Sequence, residues 1–279
     1  MAYTAEISRT NPTCFLFLVD QSGSMNEPFG SEAGRTKAEG VADAINRLLD
    51  ALVRRCTKGV DVLDRYYLNV IGYGARIVFG FYGNLAGGVL RSVSEIANNP
   101  LRIEDRRKFA YDNTGRVVEQ VSRFPVWFDP CAAGQTPMCG AFGVAQQMVA
   151  DFVKRYPHCF PPVVINITDG AATDGDPEAA AALLRSAATS DGNVLLFNLH
   201  ISSRGEGLVL FPNSEAGLPG ANAPRLFRMS SPLPAAMLRQ AQVLEVPVPE
   251  GARGFAFNAD LVSLVTFLEI GTRAGPRPT

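Results

Sequence analysis

The stretch Cys14-Phe15-Leu16-Phe17-Leu18-Val19-Asp20-Gln21-Ser22-Gly23-Ser24-Met25 limits what this chain can fold into more than any other part of it. Six consecutive apolar residues stop abruptly at an acid and a Ser/Gly cluster. That pattern predicts a buried strand that delivers Asp20 into a turn. In the turn a carboxylate and two hydroxyls stand at i, i+2 and i+4, and Gly23 gives the backbone the freedom to curl back. Hard oxygen donors of this kind suit Mg²⁺, Mn²⁺ or Ca²⁺ and suit zinc or copper poorly. The stretch reads as half of a cation site.

Two distant stretches can supply the other half. Pro162-Val163-Val164-Ile165-Asn166-Ile167-Thr168-Asp169-Gly170 repeats the layout of a short β-branched run ending in an acid and a glycine, and Gln135-Thr136-Pro137-Met138 adds a hydroxyl in a loop before an amphipathic segment. D-x-S-x-S, a loop Thr and a strand-terminal Thr-Asp-Gly together resemble the metal-ion-dependent adhesion site of von Willebrand factor type A domains. The resemblance implies a site made of Asp20, Ser22, Ser24, Thr136 and Asp169. It implies that Ser22 and Ser24 contact the metal directly, Thr136 directly or through water, and Asp20 and Asp169 mainly through water. A cation so held keeps an open position for the Asp or Glu of a protein partner, and such binding is abolished by chelation.

The runs Arg225-Leu226-Phe227-Arg228-Met229-Ser230-Ser231-Pro232-Leu233-Pro234 and Gly254-Phe255-Ala256-Phe257-Asn258-Ala259-Asp260-Leu261 are similar to the bacterial TerY-like branch of that family. That likeness implies an intracellular adaptor of tellurite-resistance or phage-defence type systems, associated with a Ser/Thr kinase and a PP2C-type phosphatase. The resemblance covers residues 11–271, which are expected to form one domain with insertions at about 83–123 and 202–225, followed by a mobile tail at 272–279.

Composition agrees with a single α/β unit. The chain has 279 residues, 47% of them hydrophobic and 19% charged, enough to bury a sizeable core. A net charge of −1 gives no electrostatic case for nucleic acid or a membrane surface. No run approaches the apolar length of a membrane span. The N-terminus lacks the basic-then-apolar pattern of a signal peptide, so cytoplasmic residence is expected. Five cysteines are too few, and odd in number, for a disulfide framework, so reduced thiols are expected. Cys131, Cys139, His158 and Cys159 match no standard zinc-ligand spacing.

Strand-like and helix-like segments alternate along the chain. Ala38, Val41, Ala42, Ile45, Leu48, Leu49, Leu52 and Val53 recur with the period of one helical face, as do Phe142, Ala145, Met148, Val149, Phe152 and Val153. Tyr66–Gly74 and Arg76–Phe81 predict an antiparallel strand pair at a sheet edge. Asn193–Ile201 predicts a buried strand in which His200 is a hydrogen-bonded core residue. Residues 83–123 have poor periodicity, a turn signal at Asp112–Gly115, and a charged run from Arg102 to Lys108 that reads as a solvated face or loop. Trp127 reads as core packing. Asp176-Pro177-Glu178 predicts a capped helix ending at Ser190-Asp191-Gly192, and capping accounts for Asp176 without a cation. Residues 202–225 predict a loop with a short strand at Leu208–Phe211, Ser231-Pro232 a helix cap, and Asn258 the cap of a final helix over Ala259–Ile270.

The expected fold is therefore α/β and doubly wound, a mostly parallel sheet with one antiparallel edge strand and helices on both faces. Ligands of such folds bind beyond the carboxyl ends of the strands, which is where Asp20 and Asp169 are placed. The three loops 26–35, 83–123 and 202–225 are expected to border that rim. A Mg²⁺-dependent phosphoryl-transfer or hydrolytic enzyme is the rival reading. Against it, G-x-x-x-x-G-K-[ST] and G-x-S-x-G are absent, and no Lys or Arg accompanies the turns at Asp20 or Asp169. A structural subunit with a vestigial site is the third.

Overall fold

The computed structural model describes residues 3–29, 34–111, 116–202 and 207–272. In chain order the elements are β1 (Thr13–Gln21), α1 (Lys37–Cys56), β2 (Tyr66–Gly74), β3 (Ile77–Phe79), β4 (Arg91–Ser92), α2 (Val93–Asn98), β5 (Arg102–Tyr111) and β6 (Val117–Val126). They continue with α3 (Met138–Arg155), β7 (Val163–Thr168), α4 (Pro177–Ser186), β8 (Leu195–Ile201), β9 (Val209–Leu210), α5 (Asn222–Met229), α6 (Ala235–Val243), β10 (Phe255–Ala259) and α7 (Leu261–Gly271). Two small hairpins lie at 57–62 and 188–193.

Short apolar runs that alternate with helices fold as a sheet covered on both faces, because each strand then buries both sets of its side chains. The sheet order is β9-β10-β8-β7-β1-β2-β3, with β4 also on β2. The strands β10, β8, β7, β1 and β2 are parallel. The antiparallel edge partner expected after β2 is β3, joined on the same strand by β4, and the short β9 adds an antiparallel piece at the opposite edge. Side chains of β1 divide between the two layers: Phe15, Phe17 and Val19 pack with Val41, Ile45 and Leu49 of α1, whereas Leu16 and Leu18 pack with Met138, Phe142 and Val149 of α3. Burying each such side chain stabilises the fold by roughly 1.5–3 kcal/mol, so the two helical faces fix which way β1 is rotated. Val19 is in register with Ile167, so Asp20 and Thr168 are level and the two chains leave the sheet side by side.

Several local expectations are corrected. The charged run from Arg102, expected to be a solvated face or loop, is the partly solvated strand β5, paired over its whole length with β6. Its period-two alternation is present but carried by charges: Glu104 and Arg106 are half-buried while Arg102, Asp105 and Arg107 are exposed. Arg106 places its guanidinium 3.4 Å from the Phe124 ring centre and pairs with Asp43 of α1. The segment 222–229, expected to be partly loop, is helix α5. The cap of α6 is Pro234 rather than Ser231, whose hydroxyl instead accepts the Leu196 N–H at 3.0 Å. Asn258 lies inside β10, and Asp260 caps α7 by accepting the Ser263 N–H at 2.8 Å. Helix α4 stops at Ser186, earlier than expected, and Asp191 turns its carboxylate to the N–H groups of Thr4 and Ala5 at 2.9 and 3.0 Å. The turn expected at Asp112–Gly115 and the tail beyond Thr272 lie outside the described residues.

Candidate metal centre

Asp20 leaves β1 fully buried, and both of its oxygens are engaged. Oδ1 accepts the Ser22 N–H at 2.8 Å, closing the turn, and Oδ2 accepts the Thr168 hydroxyl at 2.6 Å from the end of β7. Burial lifts the Asp20 carboxyl above the usual carboxylate value, against the opposing pull of the hydrogen bonds from Ser22 and Thr168. The same turn brings Ser22 Oγ and Ser24 Oγ within 3.1 Å of each other, and Ser24 Oγ donates to Asp169 Oδ1 at 2.8 Å. Four of the five expected residues are thus joined across the tops of two adjacent strands by hydrogen bonds. Ser24 is exposed, which leaves the cluster open to solvent on one side.

Thr136 arrives from the third loop. Ala133 N–H donates to the Gln21 carbonyl at 2.6 Å, Gly23 N–H to the Gly134 carbonyl at 3.0 Å, and Ala75 N–H to the Ala133 carbonyl at 2.7 Å. These bonds stitch the loop to the ends of β1 and β2. Gly134 is held at φ +83°, with Ala75 Cα only 2.4 Å from where a Cβ would stand, so no larger residue fits that approach. Thr136 Oγ1 lies 4.0 Å from the corresponding point on Gly170, which places the hydroxyl over the Asp169 turn. Asp174 takes no part in the oxygen cluster: it accepts the Cys139 and Gly140 N–H groups at 3.0 and 2.8 Å and so caps α3. Asp176 caps α4 through the Glu178 N–H, as its sequence context predicts.

One group missing from the sequence reading stands in the site. Lys37, the first residue of α1, is 3% exposed, and its ammonium lies 2.7 Å from Asp169 Oδ2 and 2.8 Å from Glu27 Oε2. The expectation that no Lys or Arg accompanies the motif turns is therefore wrong. Thr168 was equally missed as a support for Asp20, although it stood within the Thr-Asp-Gly run. Only the residue count before an Asp-Gly turn could have marked it. Nothing local could have marked Lys37, which meets Asp169 across 132 positions.

His200 pairs in register with Thr168 one strand over. It is not the hydrogen-bonded histidine expected: its buried Nδ1 has no partner among the described residues, and the ring stacks on Phe257 with centres 4.7 Å apart. Burial pushes its pKa down to about 4. Trp127 is core, as expected, with Nε1 donating to the Ile96 carbonyl at 2.7 Å.

The donor chemistry fits a hard divalent cation: two carboxylates and three hydroxyls, without sulfur or imidazole. Among the described residues no group of three or more His, Cys, Asp or Glu side chains could hold a metal, so a zinc set of Cys131, Cys139, His158 and Cys159 is not assembled. All five cysteines are free. Among those residues no helix is long and apolar enough to cross a membrane.

No protein-family model matches the chain, and no curated protein matches it. Solved structures that match include the vWF domain of the type V pili tip protein Mfa5 from Porphyromonas gingivalis, at 10% identity and a TM-score of 0.30, covering 58% of this chain and 39% of that one. A structure of three N-terminal domains of the same pilus protein matches at 12% identity and a TM-score of 0.28, over 58% of this chain and 20% of that one. The PilB minor pilin of Streptococcus sanguinis matches at 9% identity and a TM-score of 0.44, over 94% of this chain and 60% of that one. The chain thus spans less than two thirds of each of these proteins, and likeness at this level assigns no function.

Proposed function

We propose that this chain is a metal-dependent protein-interaction module of von Willebrand factor A type, which takes a carboxylate of a protein partner on a divalent cation. The observation that carries the reading is the Ser24 hydroxyl, which meets both Ser22 Oγ and Asp169 Oδ1 and so ties the D-x-S-x-S turn to the Thr-Asp-Gly turn on the solvent-open rim of the sheet. Ser22, Ser24 and Thr136 hold the ion, and Asp20 and Asp169 fix the hydroxyls and balance charge. Mg²⁺ is the first choice by donor type, with Mn²⁺ and Ca²⁺ as alternatives. A bound ion supplies a Lewis-acidic open position, and neutral hydroxyls leave most of its charge for an incoming Asp or Glu. The chain works by binding rather than by catalysis, as a cytoplasmic adaptor of TerY-like type in a bacterial stress or defence system with kinase and phosphatase partners.

The test is direct. Calorimetric titration with Mg²⁺ and Mn²⁺ is expected to show one site in the wild type and none in Ser22→Ala/Ser24→Ala. Capture of partner from source lysate is then expected in Mg²⁺ and not in EDTA. Equal binding of divalent ions by both proteins would sink the metal site, and identical partners with and without chelator would sink its role in recognition.

A further inference from the structure

Lys37 is not explained by the helix that carries it. The start of α1 is already served by Thr36, whose hydroxyl accepts the Glu39 N–H at 3.2 Å while Glu39 Oε2 accepts the Thr36 N–H at 2.8 Å. A cation in the first turn is opposed by the positive end of the helix dipole. Burying an ammonium costs more than burying an apolar side chain of the same size unless charged partners offset it. The offset comes from outside the helix, from Asp169 and Glu27. Of the two, Asp169 is the buried partner, with its side chain 2% exposed against 54% for Glu27. One carboxylate is therefore divided between two claims: Oδ1 takes the Ser24 hydroxyl and Oδ2 takes the Lys37 ammonium.

We infer that Lys37 is a built-in competitor of the divalent ion: a tethered positive charge that holds Asp169 and its turn in place without metal and weakens the site for any cation entering it. The inference rests on the metal reading above. Two like charges gathered on one carboxylate repel, and little water stands between them to screen the repulsion. Neutralising the lysine removes that opposition and leaves Asp169 in need of positive charge. The wild-type site is by this account set to weak, readily exchanged metal, and it fills when a carboxylate partner arrives with the ion.

The experiment is a titration of the full chain with Mn²⁺ alone, free Mn²⁺ being counted by electron paramagnetic resonance, for wild type, Lys37→Met, Lys37→Gln and Lys37→Arg. Circular dichroism of each variant establishes that it is folded. Lys37→Met and Lys37→Gln are expected to bind Mn²⁺ at least tenfold more tightly than wild type, while Lys37→Arg, which keeps the charge, stays near it. Lys37→Gln still offers Asp169 Oδ2 a hydrogen bond, so it separates charge from packing should Lys37→Met not fold. Weak but measurable binding by wild type beside tight binding by the neutral variants supports the inference. Equal or weaker binding by the neutral variants, with wild type binding, overturns it and leaves the metal site standing, with Lys37 only holding Asp169 in place. Binding by none of the four proteins overturns the metal reading and this inference with it.

Discussion

His200 sets a stability term that depends on pH. Its ring is half-buried against Phe257, with a buried Nδ1 that has no partner among the described residues, and burial lowers its pKa from 6.5 to about 4. Between those values the unfolded chain binds a proton that the folded chain refuses, so stability is full above pH 6.5 and is lost as pH falls toward 4. The size of the loss is on the order of 2–3 kcal/mol. Urea midpoints measured at pH 7.5, 5.5 and 4 in EDTA are expected to fall more steeply for wild type than for His200→Phe, which keeps an aromatic ring against Phe257. Parallel curves for the two proteins would show that His200 takes up its proton in the folded state without penalty. At this scale the sequence was legible only in part. An apolar run containing one histidine shows that the ring belongs to a core strand, but how far it is covered and whether a partner meets Nδ1 depend on Thr168 and Phe257, which other strands bring to it.

The elements that frame the site differ in how they hold their residues. Asp20 and Asp169 ride on the ends of paired strands, while Thr136 depends on a loop fastened by backbone bonds at Gln21, Gly23 and Ala75. Gly134→Ala puts a Cβ within 2.4 Å of Ala75 Cα and forces φ +83° on an L-residue. The backbone conformation alone costs about 1–2 kcal/mol, and the clash adds to it. The variant is expected to lose about 2–4 kcal/mol in urea unfolding and at least tenfold in Mn²⁺ affinity. Full metal affinity in a destabilised but folded Gly134→Ala protein would mean that Thr136 is dispensable to the ion. Strands β1 and β7 were legible because each is an apolar run stopped by an acid, and the antiparallel turn after β2 because its two runs are separated by only a residue or two. The β5–β6 ribbon was not, since its alternation is written in Glu104 and Arg106 rather than in apolar residues. Helix α5 was hidden by its eight-residue length and by Pro224. The start of α7 was misplaced because Asn258 and Asp260 are both capping types, and only the pairing of Ala259 with Ile201 shows that the first is still in a strand.

Across the whole molecule one buried polar chain ties the sheet to its covering layer. Tyr73 on β2 reaches over β1 to donate to Asn166 Oδ1 on β7 at 2.6 Å, Asn166 Nδ2 donates to Asn198 Oδ1 on β8 at 3.0 Å, and Asn198 Nδ2 donates to Ser230 Oγ at 3.0 Å. Ser230 closes the line by donating to the Leu226 carbonyl of α5 at 2.8 Å. All four side chains are fully buried, so none of these groups has water to fall back on. The same helix α5 carries Asn222, whose Nδ2 donates to the Gly170 carbonyl at 2.9 Å beside the site. The sheet interior and the Asp169 turn are thus fastened to one element. Replacing Asn166 by Val strands the Tyr73 hydroxyl on one side and Asn198 Oδ1 on the other, at about 1–3 kcal/mol for each group left unpaired. Asn166→Val is therefore expected to lower the unfolding free energy by about 2–4 kcal/mol. Tyr73→Phe removes the donor and strands only Asn166 Oδ1, so in Tyr73→Phe/Asn166→Val both members of that hydrogen bond are gone and only Asn198 Oδ1 stays unpaired. The double variant is expected to be more stable than the sum of the single losses predicts, by more than about 0.5 kcal/mol. Strict additivity would show that the two side chains are satisfied independently and that their hydrogen bond adds nothing to the stability of the sheet.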